Sequence, residues 1–128
     1  MKELLFVFLG GGIGSVLRFM ASALWMHLRL HPAFSGMLFP WPTFVVNVLG
    51  AFLIGLFYTK ADAWSISPEA RLLLTTGLCG GFTTFSTFSW ESMNLARTGN
   101  TQIALTYILL SIAFGIAAAT LPLLLFKQ

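Results

Sequence analysis

Apolar residues fill four long stretches of this chain, at about residues 4–28, 43–59, 72–95 and 102–126, separated by short polar or helix-breaking gaps. Each stretch is near or above the roughly 20 residues that a helix needs to cross a hydrocarbon core about 30 Å thick. The second is the shortest, and its start can extend back toward Trp41. The pattern predicts an all-α integral membrane protein, a single four-helix transmembrane domain over residues 1–128. The gap at residues 31–42 carries Pro32, Gly36, Pro40 and Pro42, which disfavour continued helix. The gap at 62–68 ends in Ser67-Pro68-Glu69, a helix start with Ser as N-cap and Pro at the first position. The third gap, 96–101, centres on Gly99-Asn100.

Composition agrees: 57% of residues are hydrophobic and 9% are charged, against about 25% charged in soluble domains. Net charge is +3. The cations are scattered and no soluble basic face exists to present them, so nucleic acid is not an expected partner; the lipid bilayer is. The lone cysteine, Cys79, cannot form an internal disulfide. Lys2, an apolar run and Ala21-Ser22-Ala23 imitate a secretory leader. Arg18 just before the apparent cleavage site, and apolar residues continuing to Met26, favour a retained helix.

With four spans, one side of the membrane holds Lys2, Lys60, Arg71 and Lys127, and the other holds Arg29 and Arg97, with Arg18 if it snorkels that way. Orientation follows such bias, and this one is feeble. Two readings stay open: both termini in the cytoplasm, or insertion both ways, which permits an antiparallel pair. Four helices leave little room for an enclosed pathway, so a solute route would run between subunits. Gly10 and Gly14, Gly11 and Ser15, and Ala51 and Gly55 have the small-xxx-small spacing, which serves either packing inside one subunit or a seam between two.

The third stretch is unlike an anchor. Gly77, Gly80 and Gly81 each weaken a helix by about 1 kcal/mol relative to Ala, which predicts a break near residues 77–81. A break frees backbone carbonyls and amides that can bind an ion. Thr83, Thr84, Phe85, Ser86, Thr87, Phe88 and Ser89 follow. On a helix, Phe85 and Phe88 lie about 60° apart on one face. A phenyl edge carries partial positive charge, so a small anion can approach it edge-on while hydroxyls donate hydrogen bonds. Such binding replaces hydration without the retention that a formal cation would impose.

Asn47 supplies two donors and an acceptor from within the second stretch, with Thr43 one turn earlier. It serves either a solute or an interhelical hydrogen bond. Arg18 is the costliest residue to bury, and draws anions into a wet vestibule or anchors its helix. Glu91, after the aromatics, is expected in solvent near a helix end. Thr106, Tyr107 and Ser111 are the polar residues of the fourth stretch, and Tyr107 and Ser111, four apart, can continue a hydroxyl track. No Walker loop, paired intramembrane carboxylates or metal-like His/Cys cluster occurs, so no enzyme is expected.

Gly80-Gly81-Phe82-Thr83-Thr84-Phe85-Ser86-Thr87-Phe88-Ser89, Asn47 within Val46-Asn47-Val48-Leu49-Gly50, and Gly11-Gly12-Ile13-Gly14-Ser15-Val16-Leu17-Arg18 resemble the Fluc (CrcB) fluoride channels of microorganisms over essentially the whole chain. The resemblance implies a dual-topology homodimer of antiparallel subunits in the bacterial inner membrane. It implies two pores through which cytoplasmic fluoride leaves passively. It also implies that Phe85 and Phe88 line the pores edge-on, that Asn47 and Thr43 face the ion, and that Thr87, Ser111 and Ser86 form a hydroxyl track. Arg18 matches the vestibule arginine. A structural sodium ion at the dimer centre is implied on carbonyls of Gly80 and Thr83. Gly115 departs from relatives that carry a serine there. Two rivals remain: a small multidrug-type dual-topology exporter, disfavoured because the first stretch holds Arg18 and no acid beyond Glu3, and a non-transporting assembly factor in which Asn47 and the aromatics only pack.

Overall fold

The computed structural model describes residues 1–126, so Lys127 of the charge count lies outside the described residues. Over them the chain is helical, without strands. Helices α1 (Lys2–Leu28), α2 (Trp41–Lys60) and, at the C-terminal end, a helix over Thr101–Leu125 are each long and apolar enough to cross a membrane. Their bounds follow the hydrophobic pattern within a few residues.

The third stretch differs from expectation. A rod begins as α3 (Pro68–Leu72), passes through a π-helical segment at Leu73–Cys79 and ends as α4 (Gly80–Phe82). Ser67 caps it, its hydroxyl accepting the Ala70 N–H at 3.2 Å. Thr83 and Thr84 are extended, at φ/ψ of −81°/159° and −152°/119°. Helix α5 (Phe85–Arg97) then starts anew, followed by α6 (Thr101–Leu125). The interruption therefore sits at Thr83 and Thr84, a few residues beyond the expected 77–81.

The glycines explain the difference, because they serve contact instead of breakage. A Cβ on Gly10 would strike the Leu73 carbonyl oxygen and stand 2.8 Å from the Leu78 nitrogen. One on Gly14 would strike the Leu78 carbonyl oxygen and stand 2.7 Å from the Phe82 nitrogen. From the other side, a Cβ on Gly77 would lie 2.9 Å from Gly10 Cα, and one on Gly81 would strike the Gly11 carbonyl. Two backbones touch here, as small residues allow in lipid, so the Gly10/Gly14 pair is spent on packing within the chain. Gly55 plays the same part where α2 meets α6, against the Ala119 carbonyl.

Helices α5 and α6 join through a glycine C-cap. Gly99 takes the left-handed conformation at φ 86°, its N–H bonds the Ala96 carbonyl at 3.2 Å, and the Asn100 N–H bonds the Leu95 carbonyl at 2.9 Å. This turn folds α6 back on α5 around a small core of Leu95, Ala104 and Tyr107, closed by Phe39, Phe44, Phe88 and Ile103. Most other large apolar side chains point outward, including Phe8, Ile13, Val16 and Phe19 on α1. That arrangement suits a lipid solvent.

Candidate functional site

The break at Thr83 and Thr84 is stabilised from α2. Asn47 Oδ1 accepts the Thr84 N–H at 2.7 Å, and Asn47 Nδ2 donates to the Thr84 carbonyl at 3.0 Å. One amide side chain takes over the Thr84 N–H and adds a second donor to its carbonyl, which as N-cap also accepts the first bond of α5, so the interhelical bond is realised. One amide hydrogen of Asn47 remains, since the group carries two donors. Thr84 also caps α5: its Oγ1 accepts the Thr87 N–H at 3.2 Å.

Among the carbonyls that the break leaves without helical donors are those of Gly80 and Thr83. In a continuous helix the Thr84 N–H would bond the Gly80 carbonyl, and the Thr87 N–H would bond the Thr83 carbonyl. The first goes to Asn47 and the second to the Thr84 hydroxyl. The Cys79 carbonyl, by contrast, accepts both the Thr83 N–H at 2.9 Å and the Thr83 hydroxyl at 2.8 Å.

An open groove of about 570 Å³ borders the break, with Asn47, Thr76, Gly80, Thr83, Thr84 and Phe85 in its wall. Gly80 faces open space, with nothing within 4 Å of where a Cβ would stand. Phe85 is 79% exposed at the groove edge, and its ring lies 5.8 Å from that of Phe88 at 42°. Phe88 is half-buried and packs on Tyr107 at 5.2 Å.

Two further grooves, of about 250 and 350 Å³, share Ser22, Thr43 and Thr87 as lining residues. Arg18 lines the first with Ser15, and Glu91 and Arg29 line the second. Hydroxyl hydrogens divide unequally here. Thr43 donates its hydrogen to Glu91 Oε1 at 2.8 Å. Thr84 donates to Thr87 Oγ1 at 3.1 Å, so the Thr87 hydrogen is free for another acceptor. Ser86 Oγ lies 3.3 Å from Thr84 Oγ1. With the Thr84 hydrogen already committed, Ser86 is the donor of that bond.

Glu91 is not the solvated residue expected from its position. It is half-buried, and its second oxygen accepts the Tyr107 hydroxyl at 2.7 Å. Tyr107 is fully buried, so its hydroxyl belongs to Glu91 and not to a track continued from Ser111. Ser111 Oγ is buried and without a hydrogen-bond partner among the described residues, and Ser111 is not among the lining residues of the two grooves that hold Thr87. A single chain therefore gathers Asn47, Thr43, Thr83, Thr84, Phe85, Ser86 and Thr87 around the break, with Phe88 just behind and Arg18 along one groove. Ser111 stays apart. The role of Thr84 escaped the sequence reading, although a threonine directly before a new helical run is an N-cap signal.

The chain matches the model of a family described as CrcB-like protein, Camphor Resistance (CrcB), over residues 5–123. A protein of Phocaeicola vulgatus named Fluoride-specific ion channel FluC is 49% identical over 122 residues, which cover 94% of this chain and 95% of the relative. A protein of the same name from Bacteroides fragilis is 45% identical over 118 residues, covering 92% and 91% of the two chains. Another from Chlorobaculum tepidum is 48% identical over 118 residues, covering 91% and 88%. The match takes in α1, α2, the interrupted segment and nearly all of α6, and on it this chain belongs to the CrcB family.

Proposed function

We propose that this protein is a fluoride channel of a bacterial inner membrane, not an enzyme. In this reading it is a four-crossing subunit of an antiparallel homodimer, and two pathways at the seam let cytoplasmic fluoride leave by passive electrodiffusion. The names of its relatives support the ion. The observation that carries the reading is Phe85, 79% exposed on an open groove beside a helix break that Asn47 holds apart. A ring so exposed, at the lip of a groove that sets Asn47 and threonines in a largely apolar wall, has its positive edge available to an anion, and a second copy would close the groove's open side.

The donor inventory refines the roles. Asn47 has one N–H left, Thr87 a free hydroxyl hydrogen, and Ser111 a buried hydroxyl with no partner among the described residues. These would serve the ion directly. Thr43 and Ser86, with hydrogens committed, would form wall, and Phe88 would back Phe85. Arg18 would draw anions toward the groove it lines.

A structural sodium ion fits the break. The carbonyls of Gly80 and Thr83 have lost their helical donors to side chains, and hard oxygen donors of this kind suit sodium. Bound there, the ion would neutralise carbonyl dipoles at the seam between the two copies.

Purified protein in fluoride-loaded liposomes, followed with a fluoride electrode, tests the reading. Rapid fluoride efflux with little chloride passage is expected. No efflux, or equal passage of both halides, overturns it.

A further inference from the structure

The arginines of the face away from the termini do more than bias insertion: they surround one groove. The two grooves that share Ser22, Thr43 and Thr87 form a continuous wall with Arg18 along one part and Arg29 along the other. Arg29 directly follows α1 and is exposed. Among the described residues its guanidinium has no hydrogen-bond partner. Arg97 is brought to the same rim, since its Nη2 donates at 3.4 Å to Asn94 Oδ1, and Asn94 lines the groove.

The groove also holds an opposing charge. Of the four acidic residues of the chain, Glu91 alone lines it; Glu3, Asp62 and Glu69 belong to the end that carries the termini and the 61–67 connection. Both Glu91 oxygens accept internal hydrogen bonds, from Thr43 and Tyr107. Its charge nonetheless repels an approaching anion. The Arg29 guanidinium lining the same groove, with its donors unspent, cancels that charge, and Arg18 in the adjoining groove and Arg97 at the rim leave the mouth net positive.

We infer that Arg29, assisted by Arg97, is an anion-gathering residue at the mouth of the groove that leads past Thr87 toward Arg18, acting on fluoride capture and not on the fold. The inference rests on the channel reading. A charged mouth with low-dielectric walls raises local anion concentration and capture rate, and salt screens that gain.

The test uses full-length protein reconstituted in liposomes, with initial fluoride efflux read at low fluoride and low ionic strength. The same measurement is repeated at high fluoride, and again with an added salt of an impermeant anion. Arg29→Gln is expected to lower the rate at low fluoride by about tenfold, the lower end of electrostatic steering. The deficit should shrink at high fluoride and high ionic strength, Arg29→Lys should keep most of the rate, and Arg97→Gln should show a smaller loss of the same kind. Equal rates for Arg29→Gln and the parent protein at low ionic strength overturn the inference. So does an equal loss in Arg29→Lys, which would indicate shape and not charge. A parent protein without fluoride flux overturns the channel reading itself.

Discussion

Asn47 grips the backbone of Thr84 at both its donor and its acceptor, at 2.7 and 3.0 Å, across 37 residues of sequence. The helix break thus depends on a side chain from another helix. Asn47→Ala removes both bonds and leaves the buried Thr84 amide unpaired, while the Thr84 carbonyl keeps the first bond of α5. The expected cost is about 1–3 kcal/mol, the penalty of one unmet buried group. Thermal unfolding in detergent and liposome flux measure the two effects, and both should fall together. Unchanged stability would show that the break holds itself.

The contact between α1 and the rod before the break gives a sharp contrast among glycines. Gly10→Ala and Gly14→Ala force a methyl onto carbonyl oxygens and should cost about 1–3 kcal/mol. Gly12→Ala has nothing within 4 Å to meet and should be neutral or stabilising by up to about 1 kcal/mol. Monodispersity on size exclusion after graded heating separates them.

Phe85 and Phe88 should part company on substitution. Phe85→Ala removes an exposed ring, so subunit stability should stay within about 0.5 kcal/mol while fluoride flux collapses. Phe88→Ala also strips packing from Tyr107, and should lower both stability and flux. Equal loss of stability in the two variants would contradict this division.

Tyr107→Phe leaves Glu91 with one oxygen bonded and should destabilise by about 1–3 kcal/mol. Pairing it with Glu91→Gln should restore part of that loss, because the two groups share one bond. Additive losses in the double variant would show that the bond contributes nothing.

The three long helices were legible because hydrophobic length is a local property, and the Ser67-Pro68 start and the Gly99 turn were legible because capping chemistry is local too. The position of the break was not. Intrinsic helix weakness pointed to Gly77, Gly80 and Gly81, but close approach to α1 keeps Gly77 and Gly81 helical, while Asn47 opens the chain at Thr84. Glu91 was misread for the same reason. Its partners Thr43 and Tyr107 lie 48 and 16 residues away, and nothing in a hydrophobic pattern announces a long-range pairing of polar groups. Pro122 removes one backbone donor from α6, yet the helix continues to Leu125.

The division of the third stretch into two pieces bears on how the chain is made. Its second piece opens with Phe85-Ser86-Thr87-Phe88-Ser89 and carries Glu91, too polar a run to partition into lipid unaided. The glycine edge of α1 offers the preceding rod a seat with its backbone already shaped to fit. The expected order of assembly is that α1 inserts first and the divided segment settles against its glycine edge afterwards. A nascent chain stripped of its first helix should stall at that segment, even though every residue of the break is still present.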